Sequence, residues 1–583
     1  MGLFQTNLSK ILRPTLLVVF GMAVGTYMYI VLIEKGAYIN AYAPRVALNN
    51  NTIDRAAANQ HEQSSEGKAD VALLQAHDVK FPYYAFNRFG MGWMGIVEEY
   101  EWSYNHLQRE RVSQQKYEAL MAGPDSISPT SISHSKVYLQ EKKSTFKRGD
   151  FIHVIVETKD EYGNQRLRGG DFIAGVMFNN QMKTSTAGRS IDYGNGTYSV
   201  YFYAGWKGQA SIDVSLSFTR EGILLYDLTK YRDRRILWSA NFTDGKVIEE
   251  SNCTIANEGT WDNKCSYKNT WALGKTVFLC DKPKSLPCSA LTNISQNLHQ
   301  MEALAKQDLM DKKYLFDSLG KYRKAIFSTC PIKVNIEDFH KPLDIPVCGP
   351  DLPIPLSSGY WKNNHTFVSF VCRSQDWTPE QRFKCATDKL FFFTGDSTTD
   401  GQFGMVFTDR EIMGGRVPTQ KKFVALRAGH PIQSLEKIMF ESDFIDTINS
   451  SMCAAHIPVV FFNYCFHYGQ WSIRAYLDRV YQMKLSIIRL FERCPTAVVI
   501  AKLGHPRDNS DAIQSQHSGN YLYYDMNRML RRVLGGIGVH FLDVWDMVAA
   551  HPDDNTVHVG RHIIIQQMNM MFSHICPQMV NSN

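Results

Sequence analysis

The sequence predicts a multidomain protein: an N-terminal signal-anchor helix, then a β-sandwich, then a C-terminal α/β domain with a parallel sheet. Three observations predict it. An uncharged run occupies residues 14–33, alternation of period two dominates 128–245, and apolar strand-like runs alternate with amphipathic helices after 348. At 583 residues the chain exceeds what one hydrophobic core organises. Hydrophobic residues make up 44% and charged residues 21%, the balance of a folded chain rather than a disordered one. The net charge of +6 is small for this length and the Lys and Arg residues are scattered, which argues against a nucleic-acid partner.

The anchor is read from Lys10 and Arg13, which precede the run Pro14–Ile33, and from Glu34 and Lys35, which close it. About 20 apolar residues cross a bilayer as a helix, whereas a cleaved signal peptide has a shorter apolar core followed by a small-residue cleavage site. Ala41-Tyr42-Ala43 lies rather far downstream for that role. Retention is therefore the expectation, and secretion after cleavage the alternative. The basic residues keep 1–13 as a cytoplasmic tail and place everything beyond Lys35 outside the cytosol, as in a Golgi or plasma-membrane protein. Asn-x-Ser/Thr acceptors at Asn50, Asn195, Asn241, Asn252, Asn293, Asn364 and Asn449 fit that topology. So do the 12 cysteines, all between Cys253 and Cys576, which read as a disulfide framework. Paired C-x-x-C ligands for zinc are absent from the sequence, so no metal is expected.

Residues 34–127 read as a stem, polar around His61 to Ser65. In 128–245 short β-type runs such as Phe151–Glu157 and Ile173–Phe178 are separated by turn signals at Asp160–Asn164, Gly169–Asp171 and Gly194–Gly196. This sandwich has no cysteines and must rest on its apolar core. Residues 246–347, poor in periodic runs, read as a Cys-rich connector stapled by disulfides. In 348–583 the runs Leu390–Phe393, Ile457–Asn463 and Ala497–Lys502 read as strands. Leu477, Val480, Tyr481, Lys484, Leu485, Ile488 and Phe491 recur between the last two at helical spacing.

The chemistry gathers at the ends of these strands. Gly395-Asp396-Ser397 directly follows the Leu390–Phe393 run, where a doubly wound sheet places its ligand site. A serine hydroxyl is a weak nucleophile until a base takes its proton, and His558 is the candidate base. The residue orienting His558 is read as Asp554 in preference to Asn555, with Asp543 and Asp546 also near in sequence; a carboxylate stabilises the imidazolium as an amide does not. Asn463, at the end of the Ile457 run, is a candidate oxyanion donor, and His467 in the same loop is a candidate lining residue, as are Gly395, Asp396 and Asn555. For each, a plain structural role is the competing reading.

Taken in order, several motifs resemble the neurexophilin and PC-esterase domain (NXPE) family. Arg148-Gly-Asp, Lys159-Asp-Glu-Tyr-Gly, Gly169-Gly-Asp-Phe, Asn195-Gly-Thr-Tyr and Trp206-Lys-Gly resemble its neurexophilin-like module. Ser358-Gly-Tyr-Trp-Lys, Gly395-Asp-Ser-Thr, Arg493-Cys-Pro, Asp543-Val-Trp-Asp-Met and Val557-His558 through Cys576 resemble its PC-esterase module. The resemblance implies an immunoglobulin-like sandwich, an SGNH-like α/β domain, and O-acetyl transfer to, or hydrolysis from, glycan hydroxyls. Acetyl-CoA is the implied donor and no bound cofactor is implied. The sequence departs from related domains at Asp400, where Arg is common, and at His505, where Asn is expected. A cell-surface binding protein that uses its neurexophilin-like module on a protein partner is the alternative.

Overall fold

The computed structural model describes residues 128–223, 238–256, 262–296, 315, 325–338, 345–352, 355–399, 402, 424–427, 440–471, 473–509, 518–553 and 556–580. The expected anchor, the stem, Asn50, Asp400, Asp554 and Asn555 lie outside the described residues. Among the described residues no helix is long and apolar enough to cross a membrane.

Seven strands run through the first region: β1 (Lys136–Leu139), β2 (Thr145–Lys147), β3 (Phe151–Glu157), β4 (Phe172–Asn179), β5 (Thr184–Asp192), β6 (Thr197–Tyr203) and β7 (Gly208–Phe218). β5 changes partners along its length. Thr184–Gly188 pair with β4, while Arg189–Asp192 pair with β6, so one long strand joins two groups of strands. Ile152, Val154, Val200, Phe202, Ile212 and Val214 turn inward and meet in one apolar core that no disulfide among the described residues crosses.

Among its described residues, the stretch expected to be a connector carries sheet. β8 (Trp238–Thr243), β9 (Ile248–Ala256), β10 (Lys264–Lys268), β11 (Val277–Asp281) and β12 (Leu291–Gln296) form a five-stranded antiparallel sheet in the order β10-β11-β9-β8-β12. Cys253–Cys280 joins register partners on β9 and β11, and Cys265–Cys288 closes a second loop. β10 escapes a pattern search because it turns so little apolar surface inward; Cys265 is its one fully buried residue. Trp238 and Phe278 then meet Trp471 edge to face, which seats this sheet on the C-terminal region.

β13 (Ile332–Glu337) pairs with β7 and β2, although more than 100 residues separate it from either in sequence. The hairpin of β14 (Gly359–Lys362) and β15 (Thr366–Ser369) adds to β5 through Tyr360 and Trp361. The junction between the sandwich and the C-terminal region is therefore backbone-paired. It is also ionic: Arg189 of β5 reaches Asp543 Oδ2 at 2.7 Å and Asp546 Oδ2 at 3.5 Å, all three side chains buried.

The C-terminal sheet holds β16 (Lys389–Gly395), β17 (Val424–Arg427), β18 (Ile457–Asn463), β19 (Val498–Lys502) and β20 (His540–Leu542), all parallel, in the order β17-β16-β18-β19-β20. β16 is buried over its whole length, as its near-continuous apolar sequence requires of a central parallel strand. The amphipathic helix Ile473–Arg493 connects β18 to β19. Cys348–Cys372, Cys385–Cys576 and Cys453–Cys494 brace this region. Ten of the 12 cysteines are thus paired, and Cys330 and Cys465 are free, which narrows the expected framework.

Candidate functional site

The chain leaves β16 for β17 on one side and returns to β18 on the other, so the strand order reverses between β16 and β18. Open parallel sheets bind ligands outside the carboxyl ends of their strands at such a reversal. Ser397 stands two residues beyond β16, and Asn463 ends β18.

Gly395 makes the turn possible. Its φ is +155°, and a Cβ there would sit 2.4 Å from Thr399 Oγ1 and 3.2 Å from the Asn463 backbone nitrogen. Asp396 then fixes the residues beyond it: Oδ1 accepts from the Thr398 backbone N–H at 2.9 Å and from the Thr398 hydroxyl at 2.6 Å, and Oδ2 accepts from the Phe466 N–H at 3.3 Å. Because the Thr398 hydroxyl spends its only hydrogen on Asp396, its oxygen accepts from Lys502 Nζ at 3.2 Å and Asn463 Nδ2 at 3.4 Å. Asp396, Thr398, Asn463 and Lys502 are all buried, whereas Ser397 between them is half-exposed. Burial pushes the Lys502 ammonium below its usual range, against the opposing pull of the Asp396 carboxylate.

His558 Nε2 lies 3.3 Å from Ser397 Oγ. The two residues are 161 positions apart and come from different elements. His558 sits on the exposed loop that precedes the helix Arg561–Ile575, where the Thr556 hydroxyl donates to its carbonyl at 2.5 Å. The loop is tied down from beneath by His505, whose Nε2 donates to the carbonyls of Thr556 at 3.3 Å and Val557 at 3.1 Å. Those acceptors put the proton of His505 on Nε2. Burial, followed by the Lys502 charge, pushes its pKa down to about 3, so the ring is neutral. Its Nδ1 is buried and has no hydrogen-bond partner.

The other sequence candidates divide. Asn463 directs its amide N–H at Thr398, and its Oδ1 is buried and unpartnered, so in this arrangement it braces the Ser397 turn. His467 is half-buried on the one-turn helix Phe466–Gln470 after β18. Asp543 and Asp546, the alternatives near His558 in sequence, are engaged elsewhere. Asp543 meets Arg189 and Arg531 and accepts from the Trp545 N–H, while Asp546 accepts from the Ser358 N–H at 2.8 Å. Burial works to raise the Asp543 carboxyl, but the Arg189 and Arg531 guanidiniums hold it below the usual carboxylate range. Cys465, two residues past Asn463, is no rival nucleophile: burial, then the Asp396 charge, pushes its thiol well up.

Sequence reading missed the bracing roles of Thr398, Lys502 and His505. One signal was available for Lys502, a charged residue closing an apolar parallel strand, which demands a polar partner at that point. The glycan acceptors also differ in setting: Asn195, Asn252 and Asn449 are exposed, while Asn241, Asn293 and Asn364 are half-exposed. Asn241 and Asn293 are register partners on β8 and β12.

Comparison with known proteins adds two matches. The family described as the C-terminal domain of NXPE family member 4-like matches residues 421–576, and the neurexophilin family matches residues 110–307. The first match contains His558 and His505 and begins after Ser397. Among solved structures, a bacterial integrin-binding invasin is 12% identical over 45% of this chain and 46% of its own length, with a TM-score of 0.13. This chain therefore spans about half of that protein. Domains 5–6 of the S-layer protein SbsC are 12% identical over 36% of this chain and 100% of that one, with a TM-score of 0.12. Likenesses at that level carry no argument. The two family matches, with the ordered motifs and the geometry above, make this chain a member of the NXPE/neurexophilin family.

Proposed function

We propose that the chain is an SGNH-type O-acyl transferase or esterase that acts on glycan hydroxyls through Ser397 and His558. The observation carrying this is the 3.3 Å approach of Ser397 Oγ to His558 Nε2 at the strand-order reversal. In the reaction, Oγ attacks the acyl carbonyl while Nε2 takes its proton, and the leaving group departs with that proton. A glycan hydroxyl, or water in the esterase case, then gives its proton to Nε2 and attacks the acyl-serine, the acyl–Oγ bond breaks, and Nε2 returns the proton to Oγ. Asp554 is the proposed orienting acid. The Ser397 backbone N–H is the proposed oxyanion donor, with Gly395, Asp396, Asn463, His467 and Asn555 lining or supporting the site. Acetyl-CoA is the proposed donor. The setting is the lumenal or extracellular side of a Golgi or plasma membrane, reached through the 14–33 anchor, with an immunoglobulin-like sandwich beside the catalytic domain. Incubating the full chain with acetyl-CoA and sialylated glycans, beside Ser397→Ala, tests this. Acetylation or deacetylation that disappears in the variant is the expected result, and none across a glycan panel would sink the enzyme reading.

A second reading has its own support in the neurexophilin match over residues 110–307. In it the sandwich binds a cell-surface protein and the Ser397 region is a scaffold. Partner capture unaffected by Ser397→Ala, together with silent chemistry, is its signature.

A further inference from the structure

The loop that carries His558 runs from the end of the helix Trp545–Ala550 to the start of the helix Arg561–Ile575. Three metal-ligating side chains converge where its two ends meet. His562 Nε2 lies 3.0 Å from His551 Nε2 and 3.2 Å from Asp553 Oδ2, and one ligand atom from each of the three residues lies within 4.8 Å of the others. We propose that His551, Asp553 and His562 form a binding site for a divalent transition-metal ion of the zinc class, which clips the His558 loop closed at its base.

The donor set carries the choice of ion. Two imidazoles and one carboxylate are a zinc-type set with room for a fourth ligand. With metal–ligand distances of about 2.0–2.2 Å, tetrahedral coordination holds donors about 3.3–3.6 Å apart, and the separations at His562 Nε2 need only a small expansion to meet it. A hard magnesium ion would take carboxylates and water in place of imidazoles.

The surroundings are shaped for this cluster. His551 is 2% exposed and held edge to face against Trp361, whose indole N–H is fixed on the Met547 carbonyl at 2.7 Å. The Asn364 carbonyl stands 3.3 Å from His551 Nε2, presented by a turn in which Asn363 and Asn364 both have φ of 55°. It supplies an oxygen for the fourth position or for a water there. Gly560 lets the loop close over the cluster, since a Cβ at that position would lie 2.8 Å from His562 Cε1. The Asp553 N–H donates to His551 Nδ1 at 3.2 Å, which leaves the ring proton on Nε2. Zinc bound at Nε2 would displace that proton, and a proton taken up at Nδ1 would end its hydrogen bond with the Asp553 N–H. Occupancy is thereby coupled to the conformation of the segment leading to His558.

The test is independent of any acyl chemistry. Full-length protein stripped with a chelator is titrated with Zn²⁺ by calorimetry, and with Co²⁺ followed by its visible spectrum. One equivalent of Zn²⁺ bound with a raised melting temperature, and Co²⁺ bands of four-coordinate type, are expected. His562→Gln, at a half-exposed position, should weaken binding at least about tenfold while retaining the wild-type circular dichroism. Should that variant misfold, Asp553→Asn at the exposed ligand takes its place. Absence of Zn²⁺ binding by the stripped wild type, or equal affinity in a folded ligand variant, overturns the proposal. Neither outcome depends on whether Ser397 is a nucleophile.

Discussion

Ser397 and His558 meet at 3.3 Å, yet the two sides of that contact are built differently. Ser397 follows a fully buried central strand by two residues, and its turn is bound by the buried polar network of Asp396, Thr398, Asn463 and Lys502. His558 rides on an exposed loop held near that residue by the His505 ring beneath it and the Thr556 hydroxyl, and at its base by the His551–His562–Asp553 contacts. One partner is fixed by the sheet, the other by a few hydrogen bonds. The difference teaches where control lies. A buried network whose members share hydrogen bonds has less freedom to shift than an exposed loop, so the geometry of the pair is set mainly from the His558 side.

The sharpest way to break the comparison is to remove the hydroxyl alone. Ser397→Ala should lower any acyl-transfer or esterase turnover by about 10⁴-fold or more, with the urea midpoint unchanged, because Ser397 is half-exposed beside the buried network. Loss of stability in this variant would mean that Ser397 belongs to the fold and not to the chemistry. Next in size is Lys502→Met, which strands the buried Asp396 carboxylate without its nearby cation. A destabilisation of about 3 kcal/mol is expected from urea unfolding. A neutral result would show that the Ser397 turn is held by strand register rather than by the network.

His505→Phe attacks the other side. Phenylalanine keeps a ring against Phe466, which the imidazole meets edge to face at 4.8 Å, but it strips the N–H from the Thr556 and Val557 carbonyls. Because small displacements of a reacting group are costly, a fall in kcat of about tenfold to a hundredfold with KM little changed is expected. Reactivity of Ser397 toward a fluorophosphonate probe should fall in parallel. An equal loss in KM would assign His505 to substrate binding instead.

This same asymmetry governed what the sequence made legible. The Leu390, Ile457 and Ala497 runs are long and apolar because central parallel strands are buried on both faces, and they correspond to β16, β18 and β19. β17 and β20, at the sheet edges, offer only four and three residues and left no comparable signal. β13 alternates cleanly as Ile332, Val334 and Ile336, but its partners lie more than 100 residues upstream, and no local pattern reports that pairing. The network under Ser397 was opaque for a similar reason. Thr398 and Lys502 become partners only because β16 and β19 both border β18, a juxtaposition that exists in the sheet and not along the chain.

The smallest effect concerns protons. His505 and His574 are held neutral by burial with pKa values near 3, and His540, whose Nδ1 lies 3.1 Å from that of His574, near 4. His505 faces Lys502 and Arg507, and His574 faces His540 and Arg531, so each protonation also meets positive charge. In the unfolded chain these rings titrate near 6.5. Between that value and the folded ones the unfolded state binds more protons, so stability falls as pH falls and recovers above it. For His505 the loss between pH 7.5 and 5.5 is about 1.4 kcal/mol. Comparing urea midpoints of wild type and His505→Asn across that range isolates the contribution: the variant should lose about 1.4 kcal/mol less. Parallel curves would mean that the His558 loop opens below pH 6.5 in the folded protein and lets His505 protonate there, making the base side of the pair more mobile still than its hydrogen bonds suggest.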